Sequence, residues 1–254
     1  MENQKLKKLL RSLSVAVLWL AVWELLSYFV GSEVLLPSPF LVIKALMSMM
    51  KTADYYISSG YSILRILLGF LMGVIFGIII AVVTKLSKWI AAFLSPLLTV
   101  IKATPIASFI ILLMVWVNRD IVPVFTSVLI VTPIVCGSFL TAINETDANL
   151  LEMAKAFNMS KGKKIKKLYI PSVLPHFSSS SATALGMAWK AGTAAEVICN
   201  PHFGIGSRLY DSKIYLEVPK LFAWTVTVVT LSFLLEKLFS FFALKANERR
   251  RTYD

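Results

Sequence analysis

The chain has 254 residues, of which 57% are hydrophobic and 16% charged, with a mean hydropathy of +0.74. Aqueous globular domains carry roughly 45–50% apolar and about 25% charged residues, so this balance excludes a soluble fold and points to a polytopic membrane protein. The net charge of +12 is spread over span ends and alternate loops rather than gathered in one patch, which argues against a nucleic-acid partner.

The apolar runs are long enough for helices rather than barrel strands, so the expected fold is all-α with about six transmembrane helices. Residues 1–11 are basic and precede a first span, Ser12 to Val30, with no small-residue cleavage site after it. Glu24 lies inside that span. Leu35 to Phe40 holds two prolines, and a moderately amphipathic segment to Met50 reads as interfacial. Span two, about Gly60 to Thr84, carries Gly69, Gly73 and Gly77; this spacing lets another helix approach closely, either in the same chain or across a dimer seam. Span three, about Trp89 to Trp116, is broken by Pro96 and Pro105 and carries Lys102. Asn118 to Asp120 is a tight turn, and span four runs from about Ile121 to Ile143. Span five, about His176 to Cys199, is rich in small residues and holds Lys190 and Glu196. Span six runs from about Pro219 to Leu244, after a loop from Asn200 to Glu217, and the tail is basic. Sixteen basic residues then fall on one side and six on the other, which places both termini in the cytoplasm. The whole of 1–254 reads as one transmembrane domain, without repeat or soluble module. Cys136 and Cys199 read as packing residues.

The longest polar interruption is the loop 144–175, with six lysines around a helical apolar stripe of Leu150, Met153, Ala154 and Phe157. Thr146 or Asp147 can cap its start. A stripe without a core of its own folds back on the bundle, lies on lipid with its lysines on anionic headgroups, or enters a groove on a partner. No G-x-x-x-x-G-K-[ST] stretch is present, since Gly162-Lys163-Lys164 lacks the upstream glycine and the hydroxyl residue. No metal spacing stands out, and no cofactor is expected.

Within the loop, Glu152-Met153-Ala154, then Asn158, then Leu168, Ile170 and Pro171 resemble the EAA loop of bacterial ABC importer permeases. Met153 replaces an alanine of that pattern, Asn158 its glycine and Ile170 its leucine. Asn tolerates the left-handed backbone better than most residues. LPSP (36–39), RILLGF (65–70), TPIAS (104–108), AAEVI (194–198) and FGIG (203–206) are similar to the nitrate/sulfonate/taurine-type group. The resemblance implies the type I permease fold in a bacterial inner membrane. It also implies a separate ABC ATPase subunit that binds the ATP, an extracytoplasmic solute-binding protein, and pairing of two permease copies. Glu152, Met153, Ala154, Phe157, Asn158 and Pro171 are then the ATPase-coupling residues. Pro171, with Pro175, is expected to stop a second short helix and re-aim the chain into span five.

Charges inside spans are costly in hydrocarbon and usually face a cavity or a partner. Lys102 and Lys190, each near mid-span, are candidates for stabilising an anion in transit, against pairing or snorkelling. Glu196 is expected to order the end of span five, Glu24 to pair with Arg65, and Glu236 to be structural. Ser178–Ser181 and Thr183 either line a polar path or allow tight packing. An ion-coupled secondary transporter using Glu24, Lys102, Lys190 and Glu196 as relays is the alternative, and a non-transporting membrane anchor is a third.

Overall fold

Glycine sets the closest helix pair. A β-carbon on Gly69 would lie 2.5 Å from the Val124 carbonyl oxygen, on Gly73 2.6 Å from Val131 Cβ, and on Gly77 2.9 Å from the Thr132 carbonyl oxygen. The four-residue spacing therefore serves packing within one chain, which is the first of the two roles open to it. The computed structural model describes residues 2–251, and every regular element among them is helical. The side chains of the terminal lysines and arginines assigned to the cytoplasmic side fall outside the described part, except Arg11.

The elements in order are α1 (Glu2–Val30), α2 (Pro39–Met49), α3 (Ala53–Leu86), α4 (Lys88–Ala103), α5 (Ile106–Trp116) and α6 (Val122–Asn144). Then come α7 (Ala148–Ala156), α8 (Lys161–Lys164), a π-helical turn (Ile165–Tyr169), α9 (Ile170–Cys199), α10 (Ile205–Ile214) and α11 (Val218–Arg251). Apolar stretches long enough to cross a bilayer lie in α1, α3, α6 and α11. The α4–α5 pair bends by 107° at Thr104–Pro105 and forms a fifth, broken crossing or a re-entrant loop. Pro96 sits inside α4 without interrupting it, so of the two expected breaks only the one at Pro105 occurs. The reason is Thr104, which precedes a proline and is held extended at ψ 131°. A further helix, α9, is 30 residues long and so has the length of a crossing without being among the apolar ones. It is less apolar than the others because serines, threonines, Lys190 and Glu196 lie along it.

Short signals position the ends. Ser38 Oγ accepts the Leu41 amide at 3.4 Å with Pro39 at the first turn of α2. Ser87 does the same for Ile90 of α4. Asn200 closes α9 in the left-handed region at φ 46°. The core joins Ile66 and Phe70 of α3, Val131 and Val135 of α6, and Leu185 and Trp189 of α9. Trp189 donates its indole hydrogen to the Val228 carbonyl of α11 at 3.0 Å. The bundle thus has two ends. One gathers the C-terminal ends of α3 and α6 with the 145–169 loop; the other gathers the 118–121 turn, the end of α9, and α10. We call them the loop end and the turn end.

Candidate coupling loop and translocation face

At the loop end, Asp147 rather than Thr146 caps α7. Its carboxylate accepts the Asn149 amide at 2.9 Å, whereas the Thr146 hydroxyl turns back to the Ala142 carbonyl. The helix closes with two reversed bonds, Met159 N–H to Ala154 O and Asn158 N–H to Lys155 O, both 3.0 Å. That pattern needs a left-handed residue at Asn158, whose φ is 47°. Asn158 therefore occupies the position where the EAA pattern has glycine, and does its backbone work.

The predicted stripe divides. Leu150, Met153 and Phe157 are exposed, Phe157 at 76%, while Ala154 is buried at 0%. Ala154 is thus on the covered side of α7 and not part of the free ridge. Glu152 is exposed beside the ridge and carries no ion pair among the described residues.

Pro171 does not stop a helix. Residues 161–199 form one continuous helical run, with Pro171 in the first turn of α9 and exposed. The π-helical turn just before it explains this. The Ile170 amide reaches back five residues to the Ile165 carbonyl, and the widened turn relieves the clash that a proline ring makes with the carbonyl four residues earlier. Ser172 Oγ adds a bond to the Leu168 carbonyl at 2.9 Å. The loop therefore joins α9 through a helix rather than through a hinge of extended chain.

Lys190 lies on α9 between buried Trp189 and Ala191, and is exposed. Ser179, Thr183, Met187, Lys190, Ala194 and Ile198 make one exposed stripe at intervals of three and four residues. The serine run splits accordingly: Ser181 is fully buried, while Ser179 and Thr183 belong to the stripe. Lys102 is exposed in the last turn of α4, beside the bend, with its Nζ 3.9 Å from where a β-carbon on Gly137 would lie. Neither lysine has a hydrogen-bond or ion-pair partner among the described residues. They sit on separate helices, each on an open face.

The turn end holds a cluster that sequence reasoning did not assemble. Glu196 is 0% exposed. Its carboxylate accepts Ser62 Oγ at 2.6 Å and the Gly206 amide at 3.1 Å, with Arg65 Nη1 at 3.5 Å. Arg65 also donates to the Phe203 carbonyl and to Asp120 Oδ1 at 3.2 Å, and its guanidinium lies 5.5 Å over the Tyr61 ring. Arg65 is therefore paired with Glu196 and Asp120, not with Glu24, which is exposed on α1. Asp120 further takes the His202 backbone amide at 2.9 Å and its Nδ1 at 2.8 Å. Burial pushes the Asp120 carboxyl up, but the two hydrogen bonds from His202 and the Arg65 charge outweigh it and hold the group below its ordinary 3.8. The Asn200–Glu217 loop contains α10, and its Arg208 bonds Asp54 and, at 3.3 Å, Ser58 of α3. Three of the quoted segments, RILLGF, AAEVI and FGIG, supply Arg65, Glu196, Phe203 and Gly206 to this one cluster. A β-carbon on Gly206 would overlap Glu196 Cβ, so the second glycine of FGIG is required by that close approach.

These features define a multi-pass helical membrane protein with an amphipathic loop helix at one end and an ion-locked turn at the other. The chain belongs to the family of binding-protein-dependent transport system inner membrane components, which matches residues 73–253. It is 31% identical over 222 residues to the putative aliphatic sulfonates transport permease protein SsuC of Escherichia coli K12, covering 86% of this chain and 82% of that one. It is 26% identical to the nitrate import permease protein NrtB of Synechococcus elongatus, covering 83% and 79%. Among solved structures, an amino acid ABC transporter superposes with a TM-score of 0.61 at 18% identity over 82% of this chain and 94% of that one, a likeness of fold. The protein is thus the transmembrane permease subunit of an ABC importer, a transport subunit of a bacterial inner membrane without ATPase activity of its own.

Proposed function

We propose that this chain forms half of the path for a small anion and couples it to a separate ABC ATPase through α7. The carrying observation is the exposed Leu150, Met153 and Phe157 ridge on a helix fixed by Asp147 at one end and Asn158 at the other, with Glu152 unpaired beside it. Such a ridge fits a groove on a partner, with Glu152 set to meet a cation there. ATP-driven closure of the ATPase pair draws two such helices together, and the continuous run 161–199 tilts α9. Solute arrives from an extracytoplasmic binding protein, which the family's description requires.

A second copy completes the path. The α9 stripe and the Lys102 face are left open by this protomer, and a charged face in a bilayer needs a partner or water. Lys102 and Lys190 then stabilise the passing anion. The names of the sulfonate and nitrate relatives support an anionic solute. The domain spans 1–254, with the loop end and both termini cytoplasmic. In support, the Trp23 and Phe222 rings lie 5.8 Å apart, so that α1 ends and α11 begins near the turn end.

The test is the double variant Glu152→Lys with Phe157→Asp, assayed for ATPase co-purification and for solute uptake in proteoliposomes. Loss of both with an unchanged melting temperature is expected. Retention of ATPase binding and uptake overturns the coupling role of α7. Lys190→Gln is expected to raise the KM for an anionic solute, and an unchanged KM removes Lys190 from the path.

A further inference from the structure

An apolar cavity of about 430 Å³ opens at the loop end, between α3, α6 and the π-helical turn that leads into α9. Its walls include Val82, Leu86, Phe139, Ile143, Val173 and Phe177, and the polar groups among its lining are Lys85 and Tyr169. From Leu86 to Ile78 along α3 it runs about 12 Å at 1.5 Å per residue. Trp89, 88% exposed one residue into α4, and Tyr169 are the amphipathic aromatics that settle at the headgroup level of a bilayer. The cavity therefore descends from the headgroup plane into the hydrocarbon, where the surrounding medium is lipid.

The rim is basic on both sides. Lys85 and Lys88 stand on the α3–α4 side, and Lys166 and Lys167 are exposed on the π-helical turn. Of the acidic groups at this end, Glu145 faces His176 at 3.9 Å, Asp147 caps α7 and Glu152 lies on the exposed side of α7; the cavity itself is lined by no carboxylate. Lys85 gives one of its three donors to Asn144 Oδ1 and keeps the others available. A second copy of this chain would bring the same lysines against these, and a water-soluble partner would have to reach below the Trp89 plane.

We propose that this cavity is a seat for an acidic phospholipid, with an acyl chain between α3, α6 and α9 and its phosphate on Lys85 and the flanking lysines. One wall belongs to the rigid glycine-packed α3–α6 pair and the other to the segment that joins the loop to α9. The bound chain thus fills the joint between the two. The site is separate from the ridge of α7 and from the α9 stripe, so it stands or falls independently of the anion path.

The experiment uses the full-length chain in nanodiscs of phosphatidylcholine and phosphatidylglycerol in a ratio of about 3:1. Each sample carries a trace of photoactivatable lipid with a mid-chain diazirine, either phosphatidylglycerol or phosphatidylcholine. The expected result is labelling of the 78–86 and 139–143 peptides, about fivefold stronger with the phosphatidylglycerol probe, the ratio expected from one lysine's contribution at a membrane surface. Lys85→Glu should abolish that preference, and Val82→Trp, whose indole obstructs the cavity halfway along its α3 wall, should remove labelling by both probes. Equal labelling by the two probes in the unmodified chain overturns the proposal. So does labelling no denser than on Val17 and Leu18 of α1, or labelling that survives Val82→Trp.

Discussion

The two ends of the bundle solve opposite problems. At the turn end, Arg65, Glu196, Asp120 and His202 satisfy one another within α3, α9 and the two connecting segments. At the loop end, α7 is closed by its own caps and buries Ala154, while Leu150, Met153, Phe157 and Glu152 are left open. An end that closes itself is a fixed point; an end that keeps an apolar ridge and an unpaired carboxylate stays open, and is the surface proposed to take a partner. The difference teaches that charge in a membrane protein is read by what it has been given to pair with. Glu196 is buried and paired, so it holds structure; Lys190 is exposed and unpaired in a membrane-length helix, which is the reason it is proposed to meet the solute.

Four perturbations break or sharpen this contrast. The largest effect belongs to Glu152→Lys with Phe157→Asp, expected to lower uptake at least about a hundredfold, since removing a central apolar anchor and reversing a charge each cost about 2 kcal/mol or more at an interface. Thermal unfolding of the chain in detergent should be unmoved. Arg65→Met should do the reverse. It leaves Glu196 buried without its cation and is expected to cost about 3–5 kcal/mol of stability, seen as a lowered melting temperature before any loss of ATPase binding. If Arg65→Met melted as the unmodified chain does, the turn end would not be the fixed point. Asn158→Val comes next, since a β-branched residue at φ 47° costs about 1–2 kcal/mol. It should weaken coupling by fraying α7, and Asn158→Gly should restore it.

The smallest effect is on pH. Asp120 titrates below 3.8 in the folded chain, so its contribution to stability is complete above that value and is lost as pH falls through the folded pKa. The melting temperature should drop more steeply below pH 4 in the unmodified chain than in Asp120→Asn. Equal slopes would remove Asp120 from the cluster's charge balance.

Much of the loop end was legible. The stripe apart from Ala154, a cap at Thr146 or Asp147 and the left-handed role of Asn158 all rest on contacts within five residues along the chain, which is the range over which sequence pattern carries information; the choice of Asp147 over Thr146 came from the structure. What was missed there is Pro171. A proline reads as a stop unless the preceding turn widens, and nothing in IKKLY announces a π-helical turn. At the turn end the segments RILLGF, AAEVI and FGIG stand out one by one, but their convergence does not. Arg65 and Glu196 are 131 positions apart, so Glu24, nearer in sequence, was the expected partner. The Asn118–Asp120 turn was expected, yet its role in holding Arg65 and His202 was not.

The sequence alone determined the solvent, the helices and the lysine-rich loop, because hydrophobic run length, helical period and capping are local quantities that a bilayer enforces strictly. Tertiary structure decided which charges meet, which face of α9 stays open and how the loop joins it. Those depend on helix packing, where three glycines bring α3 against α6 and so fix what the remaining side chains can reach.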